Sequence, residues 1–371
     1  MISNLGIEGF KCFKTHIDFP LSKINLMIGY NGRGKSSVLQ SLLMLGQSLS
    51  NHKNVEKLDV NGDYVKLGTF QDVVSGKGNL IRITVSDEKE VVLLGYRKSN
   101  NSNWIGELSE LKINDKDWFE SAGDLDFSQS GRMKRINSSY SREFHRFFEN
   151  FVFISASRLG PTAYEEKVDV MRENPLGNEG ERRLNYLVKD EVLLKKVSEA
   201  ISWIMDGGSF SVRGRNEEDA VLSLAFSMGK NLTGVKSINV GYGYSYILPI
   251  VIMALSAKNC TLFIENPEAH LHPLAQSRLM QLLCKIPSEN NVQIFIETHS
   301  EHILNSVRLC SLKDEFPIAT PDISIHFFDK DYSVKYLAID NNAQLSEWPL
   351  GFFDQQERDL AEILKLGLLK A

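Results

Sequence analysis

One eight-residue run constrains this chain more than any other: Gly29-Tyr30-Asn31-Gly32-Arg33-Gly34-Lys35-Ser36, a glycine, four residues, then Gly-Lys-Ser. It lies between an apolar run, Ile24 to Ile28, and a segment where Val38, Leu39, Leu42, Leu43 and Leu49 recur at helical spacing. A buried strand, a glycine loop and a helix in that order make a cradle for a polyphosphate. The glycines let backbone N–H groups converge on phosphate oxygens, and the helix start adds the positive end of its dipole. In such a loop a lysine neutralises the β and γ phosphates and a serine ligates Mg²⁺. The expectation is a nucleoside triphosphate held by Gly29, Asn31, Gly32, Arg33, Gly34, Lys35, Ser36 and Ser37.

Composition narrows the remaining classes. Apolar residues are 42% of the 371 positions and charged residues 24%, proportions of an ordinary globular protein with core for one large or two modest domains. No apolar run approaches the roughly 18 residues of a membrane span and the start has no signal-peptide pattern, so a cytoplasmic protein without membrane contact is expected. Cys12, Cys260, Cys284 and Cys310 show neither pairing nor metal-ligand spacing and read as small buried residues. A net charge of −5 argues against a general polyanion binder. Locally, Arg132, Lys134, Arg135, Arg142 and Arg146 form a basic cluster that is a candidate nucleic-acid contact.

Periodicity sets out the elements. Strands are expected at 2–7 and 16–18, with a Phe10-Lys11-Cys12-Phe13 corner between them, and again at 65–67, 80–85 and 91–96. The polar, serine-rich stretch 98–150 reads as an insertion. A strand at 151–155 and a helical stripe across 181–205 follow, and Gly241-Tyr242-Gly243-Tyr244-Ser245 opens an apolar helix over 247–255. Strand Thr261–Glu265, a helix over 274–286 and a strand at 292–297 then give the alternation of a parallel sheet. Thr261–Glu265 ends in a carboxylate, where a parallel sheet presents groups to ligands.

Taken in order, these motifs resemble the ABC/SMC/RecF group of ATPases and, more narrowly, its stand-alone, OLD-like members. The matching residues are Phe10-Lys11-Cys12-Phe13, the glycine loop, Gly241 to Ser245 ahead of Leu248-Pro249, Glu265-Asn266-Pro267-Glu268-Ala269-His270-Leu271-His272-Pro273, and Glu297-Thr298-His299-Ser300. Glu347-Trp348-Pro349-Leu350-Gly351-Phe352-Phe353-Asp354 is similar to a short C-terminal domain of unknown function found in one bacterial subset. The resemblance implies an α/β fold: an ABC-type ATPase head with a β-rich N-terminal lobe (1–97), a helical insertion (98–236), a second ATPase lobe (237–310) and a small C-terminal cap (311–371).

It also implies ATP and Mg²⁺ as cofactors, and a role for each motif. Ser36 and Glu265 would hold the metal, with Gln71 as the mobile glutamine that reports it. Lys11 and Phe13 would approach phosphate and base, and His299 would read the γ-phosphate. Gly241, Gly243 and Ser245 would meet ATP bound to the opposite subunit, giving a homodimer or higher oligomer. Asn266 stands where ABC-type enzymes carry a catalytic glutamate. An amide orients water but cannot accept its proton, so hydrolysis would be slow and rest on Glu265, on Glu268 or on the substrate. By family analogy such ATPases are switches for a separate effector encoded nearby, in bacterial defence against phage or foreign DNA.

Competing readings attach to the same residues. A DNA-binding repair or structural ATPase would use the basic cluster. A metal-dependent nuclease would use His270, His272, His299 and His302 with Glu265 and Glu297, at spacings compatible with zinc. Asp329-Lys330-Asp331 imitates the Asp-x-Asp of a nuclease domain but reads as a solvated strand end. Arg158 either approaches phosphate or belongs to a tight turn, and the apolar residues of 348–354 predict a packed segment.

Overall fold

The computed structural model describes residues 1–52, 54–114, 116–117, 150–168, 175–216, 218–229, 232–349 and 353–368; the basic cluster at 132–146 lies outside them. Along the chain, β1 (Asn4–Glu8), β2 (Ile17–Pro20) and β3 (Ile24–Gly29) precede α1 (Lys35–His52). Then come β4 (Lys57–Asp59), the single turn α2 (Phe70–Val73), β5 (Leu80–Ser86), β6 (Val91–Lys98), β7 (Ile105–Ile113), β8 (Lys116–Asp117), β9 (Phe151–Ile154) and β10 (Glu165–Glu166). Helices α3 (Arg183–Leu187) and α4 (Glu191–Ile204) lead to β11 (Ser209–Arg213), β12 (Val221–Met228) and β13 (Leu232–Lys236). The chain continues through α5 (Tyr242–Ser256), β14 (Thr261–Glu265), α6 (Pro273–Asn290), β15 (Gln293–Glu297) and α7 (Glu301–Cys310). It closes with β16 (Ile323–Phe328), β17 (Val334–Tyr336) and α8 (Gln355–Leu368).

The central sheet runs β17-β16-β3-β15-β14-β9, all parallel except β17. Parallel strands covered on both faces read as continuous apolar runs, which is why β14 and β15 are buried along nearly their whole length. Side chains alternate between the faces. Met27, Phe153, Phe263, Phe295 and Phe328 join α1 and an antiparallel sheet, β2-β1-β5-β6-β7-β4, in one core. Leu26, Ile154, Leu262, Ile264, Ile294 and Ile296 join α4, α5, α6 and α7 in the other. Stacking of Phe263 on Phe295, with centroids 5.0 Å apart, ties neighbouring strands on the aromatic face.

Four departures from the sequence expectation have local causes. Val65-Lys66-Leu67 is a loop, and the strand lies at β4 because that segment pairs with β7. β7 itself falls inside the stretch read as an insertion, where its partner β6 supplies the ladder. The stripe across 181–205 is broken by Asp190, whose carboxylate accepts from the N–H groups of Val192 and Leu193 at 2.9 and 3.0 Å and starts α4 afresh. Finally β16, grouped by sequence with the C-terminal cap, is a strand of the central sheet and flanks β3 directly.

Candidate nucleotide-binding site

Two glycines shape the loop between β3 and α1. Gly29 has φ +124°, and a Cβ there would stand 2.3 Å from the Phe328 carbonyl oxygen, so glycine is what lets β3 end against β16. Gly34 has φ +107°, and a Cβ there would meet Cys12 Sγ at 2.7 Å and Phe13 Cζ at 2.9 Å; the 10–13 corner lies against the loop. Lys35 is 3% exposed. Its ammonium donates to the carbonyls of Tyr30 (2.7 Å) and Gly29 (3.2 Å), and burial lowers its pKa against the pull of Glu297 and Glu268.

Strand order decides which acid meets Ser36. β15 pairs with β3, and β14 lies one strand farther out. The Ser36 hydroxyl accordingly donates to Glu297 Oε1 at 2.9 Å. Glu297 Oε2 is buried without a hydrogen-bond partner among the described residues. Burial pushes the Glu297 carboxyl up to about 7, and Glu265 and Glu268 push the same way while Ser36 and Lys35 oppose. Glu265 Oε2 accepts from the Ala156 N–H at 3.1 Å, and burial raises this carboxyl too. Glu268 accepts from Thr298 Oγ1 (2.7 Å), the His299 N–H (2.8 Å) and Asn266 Nδ2 (3.3 Å). His299 is exposed at the rim, with its ring bonded to the Gly29 backbone. A hydroxyl, a half-satisfied carboxylate and a buried ammonium fit a hard divalent cation bridged to phosphate, because Mg²⁺ needs only one or two carboxylates beside the phosphate oxygens.

A family profile described as the AAA ATPase domain matches residues 1–122 and 133–304. The chain belongs to that family. A second profile, a protein of unknown function (DUF3696), matches residues 318–363 and agrees with the resemblance seen in the tail. The OLD nuclease of Thermus scotoductus is 21% identical over 334 residues, covering 81% of this chain and 59% of the relative. The DNA replication and repair protein RecF of Clostridioides difficile is 23% identical over 246 residues, covering 65% of this chain and 59% of the relative. This chain therefore spans less than two thirds of either relative's length. A crystal structure of an Smc head bound to the C-winged helix domain of ScpA aligns over 94% of this chain and 98% of its own, at 15% identity and a TM-score of 0.49. The RecF- and OLD-like character read from the motifs is matched by these relatives of the AAA ATPase domain.

Within the AAA ATPase domain, Lys35, Ser36, Glu265, Asn266, Glu268 and His299 gather at the carboxyl edge of the central sheet, and Glu297 joins them. Ser37 is buried beneath the loop, while Asn31 and Gly32 are exposed. Arg33 lies over the Tyr332 ring at 4.4 Å. Other assignments shift. Phe13 is 2% exposed and packs edge-on against Phe19, so its ring belongs to the core and does not face a base. Lys11, at φ +51°, gives its ammonium to Gln40 on α1. Gln71 is exposed on α2 with no hydrogen bond to Ser36 or the carboxylates.

The 241–245 motif also differs from expectation. α5 starts at Tyr242, so Gly243 and Ser245 are already helical. Ser245 is 1% exposed, and a Cβ on Gly243 would meet the His270 carbonyl at 2.8 Å. The open surface is Gly241 and Tyr242, at a helix start with no side-chain cap.

The histidines are dispersed by their neighbours. His270 packs on Tyr242 and Tyr246, and His272 Nδ1 accepts from the Leu274 N–H at 3.3 Å to cap α6. Among the described residues no three His, Cys, Asp or Glu side chains form a metal-holding group. Asp329 to Asp331 form the turn between β16 and β17, where Lys330 sits 4.8 Å over the Tyr30 ring. Trp348 is 48% exposed with Arg308 beside its ring, so that segment is only partly packed, and 350–352 lie outside the described residues. No helix among the described residues is long and apolar enough to cross a membrane.

Proposed function

We propose that this chain binds Mg²⁺–ATP, hydrolyses it slowly, and uses the nucleotide to close two subunits into a switch for a separate effector. The carrying observation is the Ser36–Glu297 contact beside Lys35, at the end of the glycine loop. Lys35 releases the loop carbonyls and turns to the β and γ phosphates. Ser36 and Glu297 would hold Mg²⁺, with Glu265 as a further acid nearby, and the ion would supply charge neutralisation for phosphoryl transfer. Asn266 orients the attacking water, and Glu268 or Glu265 takes its proton. His299, exposed and with its backbone N–H on Glu268, would read the γ-phosphate. Calorimetry with Mg²⁺–ATP and a phosphate-release assay test this reading, and a wild type that neither binds nor turns over ATP ends it.

Closure of two subunits is supported by the exposed, uncapped start of α5, where N–H donors await an anion. An ATP-driven switch of this kind would act in the cytoplasm, where ATP is available. A role in defence against phage or foreign DNA rests on analogy with the OLD-like group, and co-purification with the products of neighbouring reading frames tests it. The RecF relative, named for DNA replication and repair, favours a second reading in which the basic cluster holds DNA. ATP-dependent, salt-sensitive DNA binding by the purified chain would select that reading.

A further inference from the structure

Arg158 is 2% exposed and makes no ion pair among the described residues. Its guanidinium is given to backbone carbonyls instead: Nη1 donates to Ser155 (2.9 Å) and Glu265 (2.7 Å), and Nη2 donates to Asn266 (2.6 Å). The peptide units it holds are those that aim the acidic side chains. Asn266 has φ +44° and His270 has φ +61°, left-handed conformations that Asn and His enter more readily than most side chains and that shape this turn. The Asn266 carbonyl also accepts from the Ala269 N–H at 3.1 Å, which places Glu268 between its three donors. The guanidinium carbon lies 5.5 Å from the centroid of the Tyr246 ring on α5. Tyr246 packs on His270 at 4.5 Å, and both contact Tyr242, which is 57% exposed at the start of α5.

We infer that Arg158 is a positioning residue: it locks the turn carrying Glu265, Asn266 and Glu268, and through Tyr246 it couples that turn to the exposed start of α5. The inference rests on the ATPase reading and extends it, since events at Tyr242 would reach the reacting end of the same subunit. A planar fork with paired donors is required, because two adjacent carbonyls must be held at fixed angle; a lysine ammonium supplies a point charge without that geometry.

The test compares Arg158→Lys and Tyr246→Leu with wild type in the full chain. ATP turnover, binding of a fluorescent ATP analogue, thermal melting, and amide hydrogen exchange across 265–270 are measured. Arg158→Lys is expected to lower kcat by about tenfold or more while Kd stays within about twofold. Tyr246→Leu, on a half-buried side chain, should lower kcat by roughly twofold to tenfold with the same unchanged Kd. Both should speed exchange at 265–270 and leave β15 protected. Wild-type rates, or a Kd that rises in step with the loss of kcat, would overturn the inference, as would unchanged exchange at the turn. Wild-type turnover in the same assay judges the ATPase reading separately, and the exchange measurement judges Arg158 even in a protein that binds ATP without hydrolysing it.

Discussion

Ser36 and Glu297 lie 261 positions apart in sequence, yet the serine hydroxyl donates to the glutamate at 2.9 Å because β15 is the strand beside β3. Glu265, the acid on the more conspicuous motif, is one strand removed. Glu297→Gln keeps a hydrogen-bonding partner for Ser36 but removes the charge. It should raise the Mg²⁺ concentration needed for half-maximal ATP binding by about tenfold or more. Glu265→Gln should retain nucleotide and lose most turnover. If titration calorimetry finds the Mg²⁺ requirement moved by Glu265→Gln alone, the metal assignment returns to Glu265.

Lys35→Ala removes a buried ammonium whose present partners are two loop carbonyls. Phosphate charge would then be balanced by backbone N–H groups and Mg²⁺. ATP affinity is expected to fall by one to two orders of magnitude, about 1.4–2.8 kcal/mol. Unchanged affinity by calorimetry would sink the glycine-loop site.

Nucleotide-dependent association is best probed at Gly241. A Cβ there meets nothing within 4 Å, so Gly241→Arg adds bulk at the exposed start of α5 without disturbing the core. Ser245→Arg, at the serine of the same motif, would instead force a cation into a position only 1% exposed and disrupt the helix packing. Light scattering should show the wild type gaining mass with a non-hydrolysable ATP analogue but not with ADP. Gly241→Arg should stay at the single-subunit mass while binding ATP normally, and assembly like wild type would exclude α5 from the contact.

His326 reports the integrity of β16 through pH. It is 1% exposed, its Nε2 donates to the Pro20 carbonyl at 2.9 Å, and burial pushes its pKa down to about 4 from 6.5. The unfolded chain therefore binds the proton more readily than the folded one. The contribution to stability is complete above pH 6.5 and is lost as pH falls toward 4, on the order of 3 kcal/mol over that window. Denaturant unfolding of wild type and His326→Gln at several pH values should show a shallower acid slope for the variant. Parallel slopes would mean that the ring is accessible to protons in the folded state.

What the sequence determined was whatever depends on neighbours along the chain. The glycine loop, the apolar strands Thr261–Glu265 and 292–297, and the carboxylates at their ends were legible because local spacing and period dictate them. The extent of β7, the break at Asp190 and the early start of α5 were misread, since pairing partners and caps override an apolar pattern. Tertiary structure alone decided the order of strands. That order put Glu297 on Ser36, set β16 against the glycine loop, buried Phe13 and Ser245, and turned Arg158 onto the carbonyls of Glu265 and Asn266. Period-2 alternation states which face a residue takes but not which strand lies next to it, and the chemistry of this site is made between adjacent strands.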